Sequence, residues 1–149
     1  MPKIDPESLP VVTGTDYPPP FDGDLAGRSY RRIGTAAGLS DFGVNLVTLA
    51  PGAWSSQRHW HEGEDELVIV LAGEAVLVED AGRTLLHPGD CAAFPMNVPD
   101  GHHLINESDA PCVFYAIGRS TPRDCHYPDI DLHADGPTDR YFHKDGRPY

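Results

Sequence analysis

His59-Trp60-His61-Glu62-Gly63-Glu64-Asp65-Glu66 is the stretch whose reading decides the fold of this 149-residue chain. Two histidines one residue apart project to the same side of a β-strand, because side chains alternate with period two. Glu66 has the wrong parity to share that face on an unbroken strand. A loop or sharp bend therefore intervenes, and Gly63 permits one. With that bend, two imidazoles and a carboxylate converge on one point. Neutral imidazoles and a carboxylate form a ligand set suited to a first-row divalent metal.

Outward from this stretch the chain reads as many short strands. Glu66–Leu71 is the strongest, apolar on both faces, as expected of a strand buried on both sides. Ala72-Gly73-Glu74 reads as a hairpin turn returning through Ala75–Glu79. Upstream, Arg28–Ile33 and Val44–Ala50 are strands, and residues 34–41 read as a loop. Ser55–His61 places Gln57, His59 and His61 on one face and turns Trp60 the other way, to pack on a second sheet or a partner. Downstream, Thr84–His87, Cys91–Phe94, His102–Asn106 and Cys112–Gly118 are strands separated by Pro, Gly and Asn turns. Lys144-Asp145-Gly146-Arg147 reads as a hairpin turn between Tyr141-Phe142 and Tyr149. No segment carries a helix-length apolar period. The pattern predicts an all-β sandwich or barrel.

The totals agree. Gly and Pro stand at 15 each, enough turn formers for many short elements. The formal net charge of −12 argues against nucleic acid and anionic membrane as partners. The amino-terminal residues carry no apolar run, so neither a signal peptide nor a membrane span is expected. Cys91, Cys112 and Cys125 have no C-x-x-C spacing and read as reduced, mostly buried thiols of a cytoplasmic protein.

A second constellation follows the long turn at residues 95–101. His102, Leu104 and Asn106 share one strand face, and His103 faces the other way. If the hairpins pack as a barrel, His102 meets His59, His61 and Glu66. At this point the sequence resembles the cupin family. The first family motif, G-x5-H-x-H-x3,4-E-x6-G, is met by Gly52, His59, His61, Glu66 and Gly73, with one extra residue before His59. The second, G-x5-P-x-G-x2-H-x3-N, is met by Gly89, Pro95, His102 and Asn106. Asn97 stands in the glycine position, and two more residues precede the histidine. Asn tolerates the left-handed conformation a turn glycine would adopt. His102 is preferred to His103 as the inward ligand because it keeps the spacing to Asn106.

The resemblance spans roughly residues 40–118 and implies a double-stranded β-helix, a small jelly-roll cupin barrel. The expected organisation is an extended arm over residues 1–25, a barrel over 26–120 and a tail over 121–149 that docks on the barrel or on a partner subunit. It implies one divalent transition metal per chain (Fe, Mn, Ni, Co or Zn), held by His59, His61, Glu66 and His102, and a homodimer. By parity, Gln57, Val68, Val70, Phe94 and Leu104 line the interior, an apolar surface with one amide. Asn106 is expected to fix a turn. Glu62, Glu64 and Asp65 read as a solvated loop beside the metal, and His87, His126, His133 and His143 as surface residues. The function expected is a metal-dependent enzyme on a small oxygenated molecule, of dioxygenase, isomerase or lyase type. The alternative is a non-catalytic small-molecule sensor.

Overall fold

The computed structural model describes residues 3–119 and 121–149. Met1 and Pro2 of the expected arm, and Ser120 at the expected end of the barrel, lie outside the described residues. The strands in chain order are β1 (Val12–Thr13), β2 (Arg28–Arg32), β3 (Gly43–Leu49), β4 (Trp60–His61), β5 (Glu66–Ala72), β6 (Ala75–Glu79) and β7 (Gly82–Leu86). They continue with β8 (Cys91–Phe94), β9 (His103–Ile105), β10 (Cys112–Gly118), β11 (Cys125–His126), β12 (His133–Asp135) and β13 (Arg140–Phe142). A six-stranded sheet has the order β1-β2-β3-β10-β5-β8, a three-stranded sheet the order β7-β6-β9, and a four-stranded sheet the order β13-β12-β11-β4. All pairings are antiparallel.

The first two sheets close a jelly roll over one apolar core. Val47 and Leu49 of β3, Val68 and Val70 of β5, and Phe114 of β10 meet Ala75, Leu77, Leu86 and Leu104 from the smaller sheet. Alternation along the strands explains the choice of face. In β5, Val68 and Val70 point in and are 1% exposed, whereas Leu71 is 42% exposed. The expectation that β5 is buried on both faces is therefore corrected: its outer face is partly open, and the residues are apolar there for β-propensity rather than for burial.

A second correction concerns Gly73. β5 and β6 do not pair as a hairpin; β5 pairs with β10 and β8, while β6 pairs with β7 and β9. The turn carries the chain from one sheet to the other. Gly73 adopts φ +68, and a Cβ there would run into the Pro111 carbonyl, so the position excludes side chains twice over. Residues expected as a loop after β2 instead form one helical turn, Ile33–Ala36.

Side-chain hydrogen bonds fix the connections. Asn106 is fully buried. Its amide donates to the Leu49 carbonyl at 2.9 Å and the Ala110 carbonyl at 2.8 Å, and its oxygen accepts from the Ser108 N–H at 3.0 Å. It therefore holds the turn before β10 against the end of β3, as its motif position suggested. Arg58 forks onto Asp129 at 2.6 and 2.7 Å and donates to the Gly101 carbonyl at 3.0 Å, binding the tail to the barrel mouth. The tail hairpin forms as expected, with Phe142 bridging to Pro148 and the Tyr149 N–H donating to the Tyr141 carbonyl at 3.2 Å. Trp60 packs on the tail, stacked on His126 at 4.2 Å. Among the described residues no helix is long and apolar enough to cross a membrane.

Asn106→Ala removes the donors to two carbonyls and the acceptor for one N–H at a buried position. Urea denaturation is expected to show a loss of about 3 kcal/mol. A loss below about 0.5 kcal/mol, the size typical of an indifferent surface site, would show that the amide does not hold this turn.

Candidate metal centre

Two of the four candidate ligands are locked together by backbone. His59 and His102 form an isolated antiparallel bridge, His59 N–H to the His102 carbonyl at 3.2 Å and His102 N–H to the His59 carbonyl at 2.9 Å. Their rings lie side by side, with centroids 4.9 Å apart. His61 follows on the same face, and its Nε2 lies 3.0 Å from Nε2 of His59. Glu66 opens β5 and places Oε2 3.2 Å from Nε2 of His102 and 3.8 Å from Nε2 of His61. One ligand atom from each of the four side chains falls within 4.8 Å of all the others.

The bend between His61 and Glu66 is present, and its cause differs from the one expected. Gly63 has no positive φ; instead its missing side chain makes room for Thr121 and Arg123, which a Cβ would overlap. Asn97 does adopt the left-handed conformation, φ 60, and its N–H donates to the His61 carbonyl at 2.8 Å. The substituted glycine position thus ties the inserted loop to a ligand. His102, rather than His103, is inward. The His103 Nδ1 lies 3.1 Å from the Ser56 carbonyl, and its ring meets Trp54 edge-on.

The donor set suits a divalent cation. Nδ1 of His59 lies 2.8 Å from the Gln57 carbonyl and must carry its hydrogen there, which leaves the Nε2 lone pair facing the cluster. Burial pushes His59 down to about 3, helped by the neighbouring His61 and His102. Burial, with His102 beside it, takes His61 down to about 4. Both rings are therefore neutral near pH 7, the form that binds metal. Burial alone would raise Glu66, but its hydrogen bond with His102 and the nearby His59 bring it below the usual carboxylate range. Phe94 stacks flat on the His102 ring at 3.6 Å and fixes its plane. A six-coordinate ion held by three imidazole nitrogens and one carboxylate oxygen would keep open positions for a substrate.

The four side chains border a cavity of about 1060 Å³. Of the residues expected to line it, Val68 and Leu104 do so. Val70 and Phe94 are in the core behind it. Gln57 is turned away, and its amide donates to the Phe21 carbonyl at 2.9 Å. Gln57 departs from strand parity because residues 55–58 are bends, where alternation does not hold. The acidic run is a loop, as expected, with Asp65 exposed, but its carboxylates are engaged rather than free in solvent. Glu62 pairs with His126 at 2.9 Å, Asp65 accepts from the Met96 N–H at 2.8 Å, and Glu64 faces the cavity 3.8 Å from Nδ1 of His61. Burial, with Glu66 nearby, raises Glu64 to about 7. The tail histidines are likewise engaged: His133 pairs with Asp124 at 3.1 Å and His143 with Asp131 at 2.7 Å.

Sequence reading missed the contribution of the arm and tail. Tyr17, Tyr127 and Tyr141 meet at the cavity, with centroids 5.7 Å apart for Tyr17–Tyr127 and 5.4 Å for Tyr17–Tyr141. Tyr127 reaches to 5.8 Å from the His59 ring. Burial raises all three phenols, so they remain protonated donors. Nothing in local pattern joins residues so far apart in the chain; only the docked tail does.

Residues 45–118 match the family model for the cupin domain. The crystal structure of a sugar phosphate isomerase of the cupin superfamily from Silicibacter pomeroyi is 45% identical, covering 99% of this chain and 96% of that one, with a TM-score of 0.93. A structure from Acidithiobacillus ferrooxidans is 29% identical over 71% of this chain and 68% of that one, with a TM-score of 0.68. The polyketide cyclase RemF from Streptomyces resistomycificus is 20% identical over 83% of this chain and 81% of that one at TM-score 0.67, a likeness of fold alone. Comparison with curated proteins gives no match.

Two outcomes follow from this geometry. His59→Ala or His102→Ala is expected to lower metal occupancy by tenfold or more, with the β circular-dichroism signal kept; full retention in both variants would refute the ligand set. The metal-free protein should also lose stability on acidification. The unfolded histidines take up protons near 6.5, whereas folded His59 and His61 resist until about 3 and 4. The stability they contribute is therefore complete above 6.5 and falls away below it. Glu64, raised to about 7 from 4.5, acts in the opposite sense over part of this range but is one group against two. Denaturant titrations in chelator across pH should show a steep acid limb that flattens in His59→Gln. An identical limb in that variant would contradict the assignment.

Proposed function

The chain belongs to the cupin superfamily, and on that basis we propose that it is a metal-dependent enzyme acting on a small oxygenated organic molecule. The reaction is of isomerase, lyase or dioxygenase type. The observation that carries the reading is the convergence of three imidazoles and one carboxylate on a single point inside a cavity that also holds unligated acid–base side chains. The kinship with a protein described as a sugar phosphate isomerase supports the isomerase branch, although fold alone does not set chemistry.

His59, His61, Glu66 and His102 would hold the ion, one per chain, drawn from Fe, Mn, Ni, Co or Zn. When bound, such an ion polarises substrate oxygens as a Lewis acid or activates O2. Other residues of the chain handle the substrate. Glu64 stands outside the ligand set but faces the same cavity, placed to take a proton from bound substrate and return it. The phenols of Tyr17, Tyr127 and Tyr141 present donors to substrate oxygens. Val68, Leu104 and Ala116 give the cavity its apolar part. The arm and tail cover the mouth and limit water, which strengthens each polar contact inside. The cytoplasm as compartment and a homodimer as the working form belong to the same proposal; the free Cys91, Cys112 and Cys125 fit a reducing compartment.

Elemental analysis of protein purified without added metal should show a transition metal near one per chain. Loaded with that metal, the protein should turn over a member of a panel of sugar phosphates, diols and keto acids. Glu64→Gln should keep the metal and lower turnover by roughly a hundredfold or more. Absence of turnover with every metal, together with tight stoichiometric ligand binding, would overturn the enzyme reading and leave a small-molecule sensor.

A further inference from the structure

β2 lays a cationic stripe along the cavity wall. Its alternation turns Arg28, Tyr30 and Arg32 inward, and all three border the cavity. Arg31, on the other face, is tied to Glu7. Tyr30 stands between the two inward guanidiniums, 5.3 Å from Arg28 and 5.6 Å from Arg32 measured to its ring centroid. The Arg32 guanidinium also donates to the Tyr30 hydroxyl at 3.1 Å. Arg28 donates to the Ser55 carbonyl at 2.8 Å, which fixes its head group, while its Nε is buried with no partner.

Arg31, Arg58, Arg83 and Arg147 each pair with a carboxylate. Among the described residues, Arg28 and Arg32 have no such partner, nor do Arg119, Arg123 and Arg140, but of these five only Arg28 keeps a buried donor with no acceptor. An orphaned guanidinium N–H in a buried position costs free energy unless something accepts from it. Guanidinium groups match the geometry of carboxylates and phosphates.

Strand register places the stripe within reach of the metal ligands. Arg32 pairs with Asn45, Asn45 with Ala116, and Ala116 with Val68, two residues beyond Glu66 on β5. Three strand spacings and two residue rises separate the Arg32 and Glu66 Cα atoms by roughly 16 Å along the sheet, and both side chains extend into the space between. The floor of that space carries Gly43, Asn45 and Ala116, too small to fill it.

We propose that Arg28 and Arg32, set on either side of the Tyr30 contact, form a second subsite of the cavity that binds the oxyanion end of the substrate, a carboxylate or a phosphate. The proposal rests on the enzyme reading above and deepens it. The substrate is then a short bifunctional molecule, with oxygens toward His59, His61, Glu66 and His102 and a negative group toward β2.

The test uses metal-free protein, so that it is independent of turnover. Inorganic phosphate and acetate are titrated separately while the arginine Nε–H resonances are followed by NMR. The expected result is a saturable shift of the Arg28 and Arg32 resonances. Arg32→Gln, a change at an exposed side chain that leaves the fold intact, should weaken anion binding at least tenfold. Arg140→Gln, outside the cavity, should not change it. Stronger binding of phosphate assigns a phosphorylated substrate, and stronger binding of acetate a carboxylate one. Binding of neither anion, or equal binding by wild type and Arg32→Gln, would overturn the subsite while leaving the metal centre untouched. Loss of metal occupancy or turnover alone would count against the enzyme reading and not against this subsite.

Discussion

Two backbone hydrogen bonds between His59 and His102 are the contact on which this structure depends. They join a segment of bends from one half of the roll to the entry of β9 in the other. Without them the two imidazoles would lie on separate loops with no fixed relation. With them, the spacing of the rings is set by strand geometry, and Glu66 needs only to begin β5 on the adjacent sheet to complete the set. The cost is a cluster of buried, mutually facing nitrogens. Such an arrangement is unfavourable for protonated histidine and favourable for a neutral ring that shares a cation.

The supporting contacts show the same logic of fixing one group through another. Gln57 lends its carbonyl to His59, Phe94 lends its face to His102, and Asn97 bonds the backbone of His61. These partners hold ring planes and tautomers, which a metal site needs as much as the ligands themselves. The arm and the tail then supply what the barrel lacks. Tyr17, Tyr127 and Tyr141 bring phenols to the mouth, and Arg58 pins the tail segment that carries Tyr127. The cavity is thus polar at its rim and apolar in its depth.

Much of this was legible in the chain because period-two alternation and ligand spacing are local properties. Cys91–Phe94 and Cys112–Gly118 were bounded correctly, and the convergence of His59, His61, Glu66 and His102 followed from motif spacing. The misreadings have a common source in contacts made at long range. The turn at Gly73 looked like a hairpin, yet in a jelly roll consecutive strands often belong to opposite sheets, and the Pro111 carbonyl that crowds Gly73 is remote in sequence. Gln57 was given an inward direction by a parity that holds only in a strand. Glu64 looked solvated until the folded tail and its neighbour Glu66 enclosed it. The stripe on β2 was invisible because it depends on which face of the strand borders the cavity and on the buried, unpartnered Nε of Arg28, which no residue pattern reports.

X-ray absorption of the protein loaded with its native metal tests the central claim most directly. The account predicts a first shell of nitrogen and oxygen, with the multiple-scattering signature of about three imidazoles, that is lost in His102→Ala. A shell of water oxygens alone, or an imidazole count unchanged in that variant, would contradict it.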